Sequence, residues 1–284
     1  MKEIKVLSLG DIIWDIYDDR KCMGGAGLNF AAHVARLGAK SYMLSCLGND
    51  ALGKEALGVI KSYNVIEKYV SFNDKKTGQC IVTLDENKVP SFSIISDVAF
   101  DYLKIDDSLF KENFDALSFG SVTFRGKDNF YELKKIVESK ICKNLFYDIN
   151  LRKPFFDNET IRYSMENSNI LKVSEDELSY IMKNIVQIEE KTYIENLKEV
   201  YKSFPNFDII LLTCGENGAY AYECKKDAFT YQESFKVKVV STVGAGDCFG
   251  ATFLVNYLKG CSIKECLYQA CKASSIVVSK MEAI

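Results

Sequence analysis

At 284 residues, 48% hydrophobic and 26% charged, the chain can bury a large core as one big domain or two small ones, and its net charge of −3 offers no general attraction to nucleic acid or anionic membrane. Its ten cysteines include no CxxC pair and His33 is the only histidine, which excludes a zinc knuckle, a compact disulfide framework and a His-rich metal site; the thiols are expected to be reduced, buried small hydrophobes. No apolar run approaches the roughly 18 to 20 residues that span a bilayer, and the opening MKEIKVLSLGD is too short and too charged for a secretion signal, so a cytoplasmic location is expected.

Residues 4–11, IKVLSLGD, form an apolar run of the kind buried in a parallel sheet, ending at Gly10 and Asp11. A short alternation, IIWDIYDD, follows. MGGAGLNFAAHVARLG then reads as a glycine turn, a helix over 28–37 with Ala31, Val34, Ala35 and Leu37 inward, and a stop at Gly38. His33 sits among those apolar positions and is read as a packing or surface residue rather than a catalytic one. KSYMLSCLG is the next strand. A helix over 52–62, a strand over 116–119, a helix over 128–139, strands NLFYDIN and NILKV, a helix from Ser174 and strand FDIILLT continue the alternation. This order predicts an α/β fold with a central, mostly parallel sheet flanked by helices.

Residues 77–102, TGQCIVTLDENKVPSFSIISDVAFDY, break the alternation with two period-two strands about a polar turn at 85–88. Together with IIWDIY they would form a small antiparallel β-sheet lid, from about 12–24 and 77–102, able to exclude water from a reacting centre. No repeat or Pro/Gly/Ser linker interrupts the chain, which predicts one domain over 1–284 with the lid as an embellishment.

Near the end, STVGAGDCFGATFL sets a small flexible turn before a helix with Phe249, Phe253, Leu254 and Leu258 on a helical period. Glycines at a helix start let free N–H groups converge on an anion, and the helix dipole adds positive potential. A carboxylate, Asp247, beside such a nest would repel a phosphate unless it had other work. Phosphoryl transfer wants both, because amides stabilise the moving phosphoryl while a carboxylate accepts the proton of the attacking hydroxyl. An acidic helix start favoured by the dipole is the plainer alternative.

STVGAGDCFGATFL resembles the DTxGAGD-x-F motif of the ribokinase-like (PfkB) carbohydrate kinases, and GGAGLNFAAHVARLG resembles their GGxxxNxAxxLARLG motif; the two lie in the family's order, more than 200 residues apart. The resemblance covers essentially the whole chain and is closest to fructokinase-like members. It implies a ribokinase-like fold and an ATP-dependent sugar kinase. Asp247 would be the catalytic base and Gly244, Ala245 and Gly246 the anion hole. Asp15 in GDIIWD, Gly25 and Asn29 would bind sugar hydroxyls, to which a carboxylate is a pure acceptor. YDINLRKPFF resembles a D-x-N-x-R segment, with Asp148, Asn150 and Arg152 facing the cleft and Arg152 near the phosphoryl or the sugar. LKVSEDEL resembles the NxxE region, with Lys172, Ser174 and Glu177 beside the nucleotide and Glu177 reaching magnesium through water. LLTCGENGAY resembles a TxGxxG turn, assigning Thr213, Gly215 and Gly218 to the nucleotide.

Departures from the family's patterns qualify what the resemblance implies. Ser241 replaces the first aspartate of DTxGAGD, which in the family helps hold a monovalent cation, so a potassium requirement has that substitution against it. Ser174 replaces the asparagine of NxxE with a shorter side chain, which weakens the link from Glu177 to magnesium. Ala26 stands where phosphofructokinases of the family present a lysine, which points to a non-phosphorylated sugar, fructose first. The chain ends near where family members continue along the adenine pocket. Ribose, nucleoside or sugar-amine kinases remain alternatives, with Trp14, Phe92 and Phe100 of the lid shaping the pocket or serving as hydrophobic cover. A sensor that kept the fold and lost the chemistry is a second class. A dinucleotide oxidoreductase is excluded because no GxGxxG follows the first strand. Partially unpaired lid edges, with the resemblance, predict a homodimer joined through the lids.

Overall fold

The computed structural model describes residues 3–84, 90–281 and 283–284. Strand β1 (Lys5–Leu9) is buried along nearly its whole length, as a strand covered on both faces must be. The chain continues through the lid strands β2 (Ile13–Ile16) and β3 (Lys21–Gly24) to helix α1 (Ala26–Arg36), then β4 (Lys40–Gly48), α2 (Ala51–Ser62) and β5 (Ile66–Asn73). Two more lid strands, β6 (Gly78–Leu84) and β7 (Pro90–Ile94), precede β8 (Phe114–Gly120), α3 (Lys127–Ser139), β9 (Cys142–Asp148) and α4 (Asn158–Asn167). The rest runs β10 (Ile170–Ser174), α5 (Glu175–Ile181), α6 (Tyr193–Ser203), β11 (Ile209–Thr213), β12 (Ala219–Glu223), β13 (Ala228–Gln232), α7 (Ala245–Leu258) and α8 (Ile263–Val278).

The main sheet has nine strands in the order β13-β12-β11-β10-β9-β8-β1-β4-β5. Every pair from β11 to β5 is parallel, and only β12 and β13 join antiparallel at one edge. Alternate side chains of each strand enter two different cores. Val6, Ala116 and Phe146 pack with Phe30, Phe249 and Phe253 of α1 and α7. Leu7, Leu117 and Tyr147 pack on the other face with Leu133, Ile161 and Leu197 of α3, α4 and α6. At the crossing of α7 over the sheet, a Cβ on Gly250 would lie 3.1 Å from Phe146, so the glycine lets the helix approach.

The carboxyl ends of β1, β8, β9, β10 and β11 therefore share one edge, where open α/β sheets bind ligands. Over it lies a second sheet in the order β3-β2-β6-β7. Two antiparallel pairs, β2–β3 and β6–β7, are joined by a parallel β2–β6 pairing, so the lid is less uniform than the sequence suggests. The turn expected at residues 85–88 lies outside the described residues. The cysteines are free, with only Cys22 and Cys261 partly exposed, and burial pushes the Cys142 thiol up to about 12. Among the described residues, no helix is long and apolar enough to cross a membrane.

Candidate active site

Gly244 is the capping residue before α7, and its φ of 77° is left-handed backbone that a glycine adopts without penalty. The Ala245 amide turns back to the Thr242 carbonyl at 3.3 Å, while Gly246 and Asp247 occupy the first turn, where amides lack carbonyl partners within the helix. Ala245 and Gly246 line a cleft of about 1050 Å³, and Asp247 lines a separate cavity of about 30 Å³ on the other side of the turn. The smaller space is enough for a water molecule. Its wall includes Asp11, Gly27, Ser121, Thr123, Asp148 and Asn150.

Asp247 Oδ2 accepts a hydrogen bond from Asn29 Nδ2 at 2.8 Å, so α1 and α7 meet through the two residues that the motifs single out. Removal from water dominates the Asp247 carboxyl and pushes it up to about 7; the Asn29 bond works against this, the Asp148 charge adds to it, and Lys172 opposes it. Asn29 Oδ1 is buried without a hydrogen-bond partner, an acceptor that a hydroxyl donor would satisfy. Gly25, with φ of 101°, precedes α1, and its carbonyl receives the Asn29 amide at 2.8 Å. A Cβ on Gly25 would lie 2.6 Å from the Asp11 carbonyl oxygen, so only glycine permits this approach.

Asp148 ends β9 and Lys172 lies in the neighbouring strand β10, where parallel pairing sets them side by side. Lys172 Nζ donates to both Asp148 oxygens, at 2.9 and 2.8 Å, with both side chains nearly buried. Burial alone would lower the lysine, but the facing carboxylates, Asp148 first, raise it and hold it as an ammonium. A Cβ on Gly246 would lie 3.3 Å from that Nζ, so a fixed positive charge sits directly beside the turn that leads into α7. Ser174 and Glu177 form a capping box at the start of α5: Glu177 Oε2 accepts from the Ser174 amide at 2.8 Å and Oε1 from the Leu151 amide at 2.9 Å. Each Glu177 oxygen thus already has a backbone donor. Arg152 is exposed, and its guanidinium donates to the Leu151 carbonyl at 3.4 Å rather than to any group of the site.

On the lid, Asp15 pairs with Cys22 on β3 and Cys80 on β6, so the three share one face of the sheet. Burial first and the Asp11 charge second push the Asp15 carboxyl up to about 6. Trp14 alternates to the opposite face, donating from Nε1 to the Leu52 carbonyl at 3.1 Å and packing in a cluster with Ile12, Leu28 and Ala56. On that face it serves as hydrophobic cover. Phe100 is buried under the lid, its ring centroid 4.5 Å from the Arg125 guanidinium, while Phe92 is 45% exposed and opposite Val82.

The large cleft is lined by Ser174, Thr213, Gly215, Gly218 and Gly246, joined by Phe235, Val237 and Val239 from the segment before α7. Gly215 and Gly218 have φ of 52° and 92°, and the Cys214 amide closes the turn on the Gly218 carbonyl at 2.8 Å. Lys172 and Glu177 do not line it. Ser241, in place of an aspartate, uses its hydroxyl to accept the Val243 amide at 3.3 Å. Among the described residues no group of three or more His, Cys, Asp or Glu side chains is arranged to hold a metal ion.

Asp11 lines the small cavity with Asp247, although neither motif singles it out. It is 6% exposed, it accepts the Gly27 amide at 3.2 Å, and burial raises its carboxyl. Its signal is its position, two residues past the end of β1 at the carboxyl edge of the sheet. The D-x-N-x-R resemblance implies that Asp148 faces the cleft, but nothing in its spacing carries its pairing with Lys172.

The sequence matches the profile of the pfkB family carbohydrate kinases over residues 15–284. It is 29% identical over 280 residues to the fructokinase of Solanum tuberosum, covering 93% of this chain and 82% of that protein. A sugar kinase of Pyrococcus horikoshii, solved in complex with ATP, superposes with a TM-score of 0.81 at 25% identity, over 99% of this chain and 93% of that one. The fructokinase of Vibrio cholerae, solved with fructose, ADP and calcium, shares the fold with a TM-score of 0.84 at 20% identity, over 99% of this chain and 94% of that one.

Proposed function

The chain belongs to the pfkB family of carbohydrate kinases and is a sugar phosphotransferase; from that premise we propose that it moves the γ-phosphoryl group of ATP to a primary hydroxyl of a small non-phosphorylated sugar, with fructose first. The observation that carries this reading is the start of α7 between two spaces: Ala245 and Gly246 line the large cleft and Asp247 lines the small cavity. A nucleotide in the cleft would bring its terminal phosphate to the amides, and a hydroxyl on the other side would meet Asp247. A carboxyl pushed up to about 7 is matched to taking a proton near neutral pH.

Asp15, Gly25 and Asn29 would orient the sugar. The bare Asn29 Oδ1 offers an acceptor to a second hydroxyl. Lys172, held by Asp148, would add positive charge behind the amides where the phosphoryl becomes most negative. Thr213, Gly215, Gly218 and the valines of the 235–239 segment would hold the nucleotide. Magnesium would arrive on the nucleotide and be held through water rather than by a dedicated protein cage. Glu177, committed to two amides, fits a structural part better than a metal-contacting one. Arg152 would have to swing inward to reach the phosphoryl. The whole chain would act as one kinase domain in the cytoplasm, dimerised through the lids, where Ile81 and Phe92 are exposed.

A coupled assay for ADP release tests this reading with ATP, magnesium and a panel of fructose, ribose, a nucleoside, a fructose-amine adduct and fructose 6-phosphate. Fructose is expected to give ADP and a phosphorylated sugar in equal amounts, and fructose 6-phosphate neither. Preference for another neutral sugar would replace fructose. Sugar binding without ADP release for any member would overturn the catalytic reading in favour of a sensor.

A further inference from the structure

The only histidine falls at a position that the GGxxxNxAxxLARLG pattern leaves open, yet it is 4% exposed and has a specific partner. His33 lies one helical turn after Asn29 on α1, so the two side chains project from the same face. Asn29 holds the carboxylate of Asp247, and His33 Nε2 lies 2.9 Å from the carbonyl oxygen of Ala283. A carbonyl only accepts, so the ring is the donor and Nε2 carries the proton.

Ala283 in turn lies against the anion-hole turn. A Cβ at Gly244 would sit 2.9 Å from Ala283 Cα and 3.1 Å from its carbonyl oxygen, so the tail occupies the space beside the left-handed glycine that starts α7. The stretch just before the turn is tied to the same end of the chain: the Val240 and Ser241 amides both donate to the Val278 carbonyl, at 2.9 and 3.2 Å. Ile284 packs with Ile12, Trp14 and Leu28, at the root of the lid and the start of α1. The turn is thus braced from one side by Asn29 and from the other by Ala283, and both braces start from one face of α1.

We infer that His33 is a positioning residue for phosphoryl transfer, acting through Ala283 to hold the 244–247 amides in register with the base that Asn29 holds. The inference rests on the kinase reading for its catalytic consequence, but its structural half does not depend on any substrate. Burial of the ring disfavours the imidazolium, which keeps the hydrogen bond in its neutral form.

The test compares the parent protein with His33→Ala, His33→Gln, a variant lacking residues 282–284, and His33→Ala combined with that deletion. The readouts are kcat on the best sugar of the panel, nucleotide affinity, melting temperature and amide hydrogen exchange across residues 243–248. Loss of one hydrogen bond of ordinary net strength predicts a fall in kcat of about 3- to 10-fold for His33→Ala, with nucleotide affinity within about twofold, and faster exchange confined to the turn. Glutamine can donate from Nε2 and should restore kcat to within about twofold of the parent. The deletion also removes Ala283 from beside Gly244 and Ile284 from its packing, so it should lose at least as much as His33→Ala, and the combined variant should lose nothing beyond the deletion, because the deletion already removes the brace that His33 acts through.

Parent-like kcat and exchange in His33→Ala would overturn the inference. So would faster exchange spread over the whole chain, failure of His33→Gln to rescue, or losses that multiply in the combined variant. If His33→Ala does not fold, the deletion alone carries the same expectations. A parent that phosphorylates no hydroxyl would defeat the kinase reading, while local exchange at 243–248 would still decide whether His33 braces the turn.

Discussion

Replacing Asp247 by asparagine separates what this carboxylate does for catalysis from what it costs the fold. Asparagine keeps an oxygen for the Asn29 donor but cannot take a proton, so loss of general-base catalysis predicts a fall in kcat of roughly 10²-fold or more, with nucleotide binding nearly unchanged. The stability change has the opposite sign. The carboxyl moves from 3.8 in the unfolded chain to about 7 in the native one, chiefly through desolvation. At about 1.36 kcal/mol for each tenfold in proton affinity, that displacement amounts to at most about 4 kcal/mol of native-state cost above pH 7. Between 3.8 and about 7 the native state binds the proton and the unfolded state does not, so parent stability declines as pH rises through this window and levels off above it. The melting-temperature advantage of Asp247→Asn should accordingly be absent near pH 4, widen to pH 7 and then stay constant. Parallel thermal scans and initial rates across pH check both halves. A variant with parent-like turnover would refute the base assignment; one with no pH-dependent gain would refute the account of its environment. In the parent, kcat/KM should fall below an acid limb near 7, and because Asp15 also titrates high, at about 6, Asp15→Asn should retain that limb.

Other consequences follow from the neighbouring charges. Lys172→Met leaves Asp148 buried without its partner and should destabilise the protein by about 3–5 kcal/mol in denaturant titration, with much of the loss recovered when Asp148→Leu is added. Because Lys172 pulls the Asp247 carboxyl downward, the acid limb of kcat/KM in Lys172→Met should also move to higher pH, which a purely structural lysine would not produce. Asp15→Asn removes a charged acceptor from the lid and should lower kcat/KM for the sugar by about 10- to 100-fold, mainly through KM, leaving nucleotide affinity unchanged in binding titrations. A change confined to kcat would place Asp15 outside the sugar contacts.

The parts of this site that can be read from the sequence are those in which the physics is local. Strand β4 falls where the apolar run KSYMLSCLG places it, and α2 and α3 begin one residue before the expected 52 and 128, because period and turn chemistry act over a few residues. The glycine turn before Asp247 is legible for the same reason: a left-handed residue, free amides and a carboxylate are contiguous. Trp14 shows the limit of such reading, since its place in a lid strand is local but the face it takes depends on which residues β2 pairs with.

What turns a motif into a working site is not local. The Asn29 bond to Asp247 spans 218 residues, the His33 bond to Ala283 spans 250, and the Lys172 pair reaches Asp148 across 24. None of these has a spacing that periodicity could detect, and all depend on which strands become neighbours in the sheet. Yet they set the quantities that matter for chemistry: how far the base is desolvated, where the compensating charge sits, and how firmly the amides are aimed. The same logic explains Glu177. Its NxxE-like context implies a contact with metal waters; what the local pattern does not show is that the capping box and the neighbouring Leu151 amide each take one acceptor site on its two oxygens once β10 and α5 are in place, which fixes how the carboxylate is turned. A carboxylate held by backbone amides keeps a fixed orientation, whereas the Asp247 carboxyl, pushed up to about 7 by burial first and by the Asp148 and Asp11 charges after it, with one side-chain donor in opposition, is placed to exchange a proton near neutral pH.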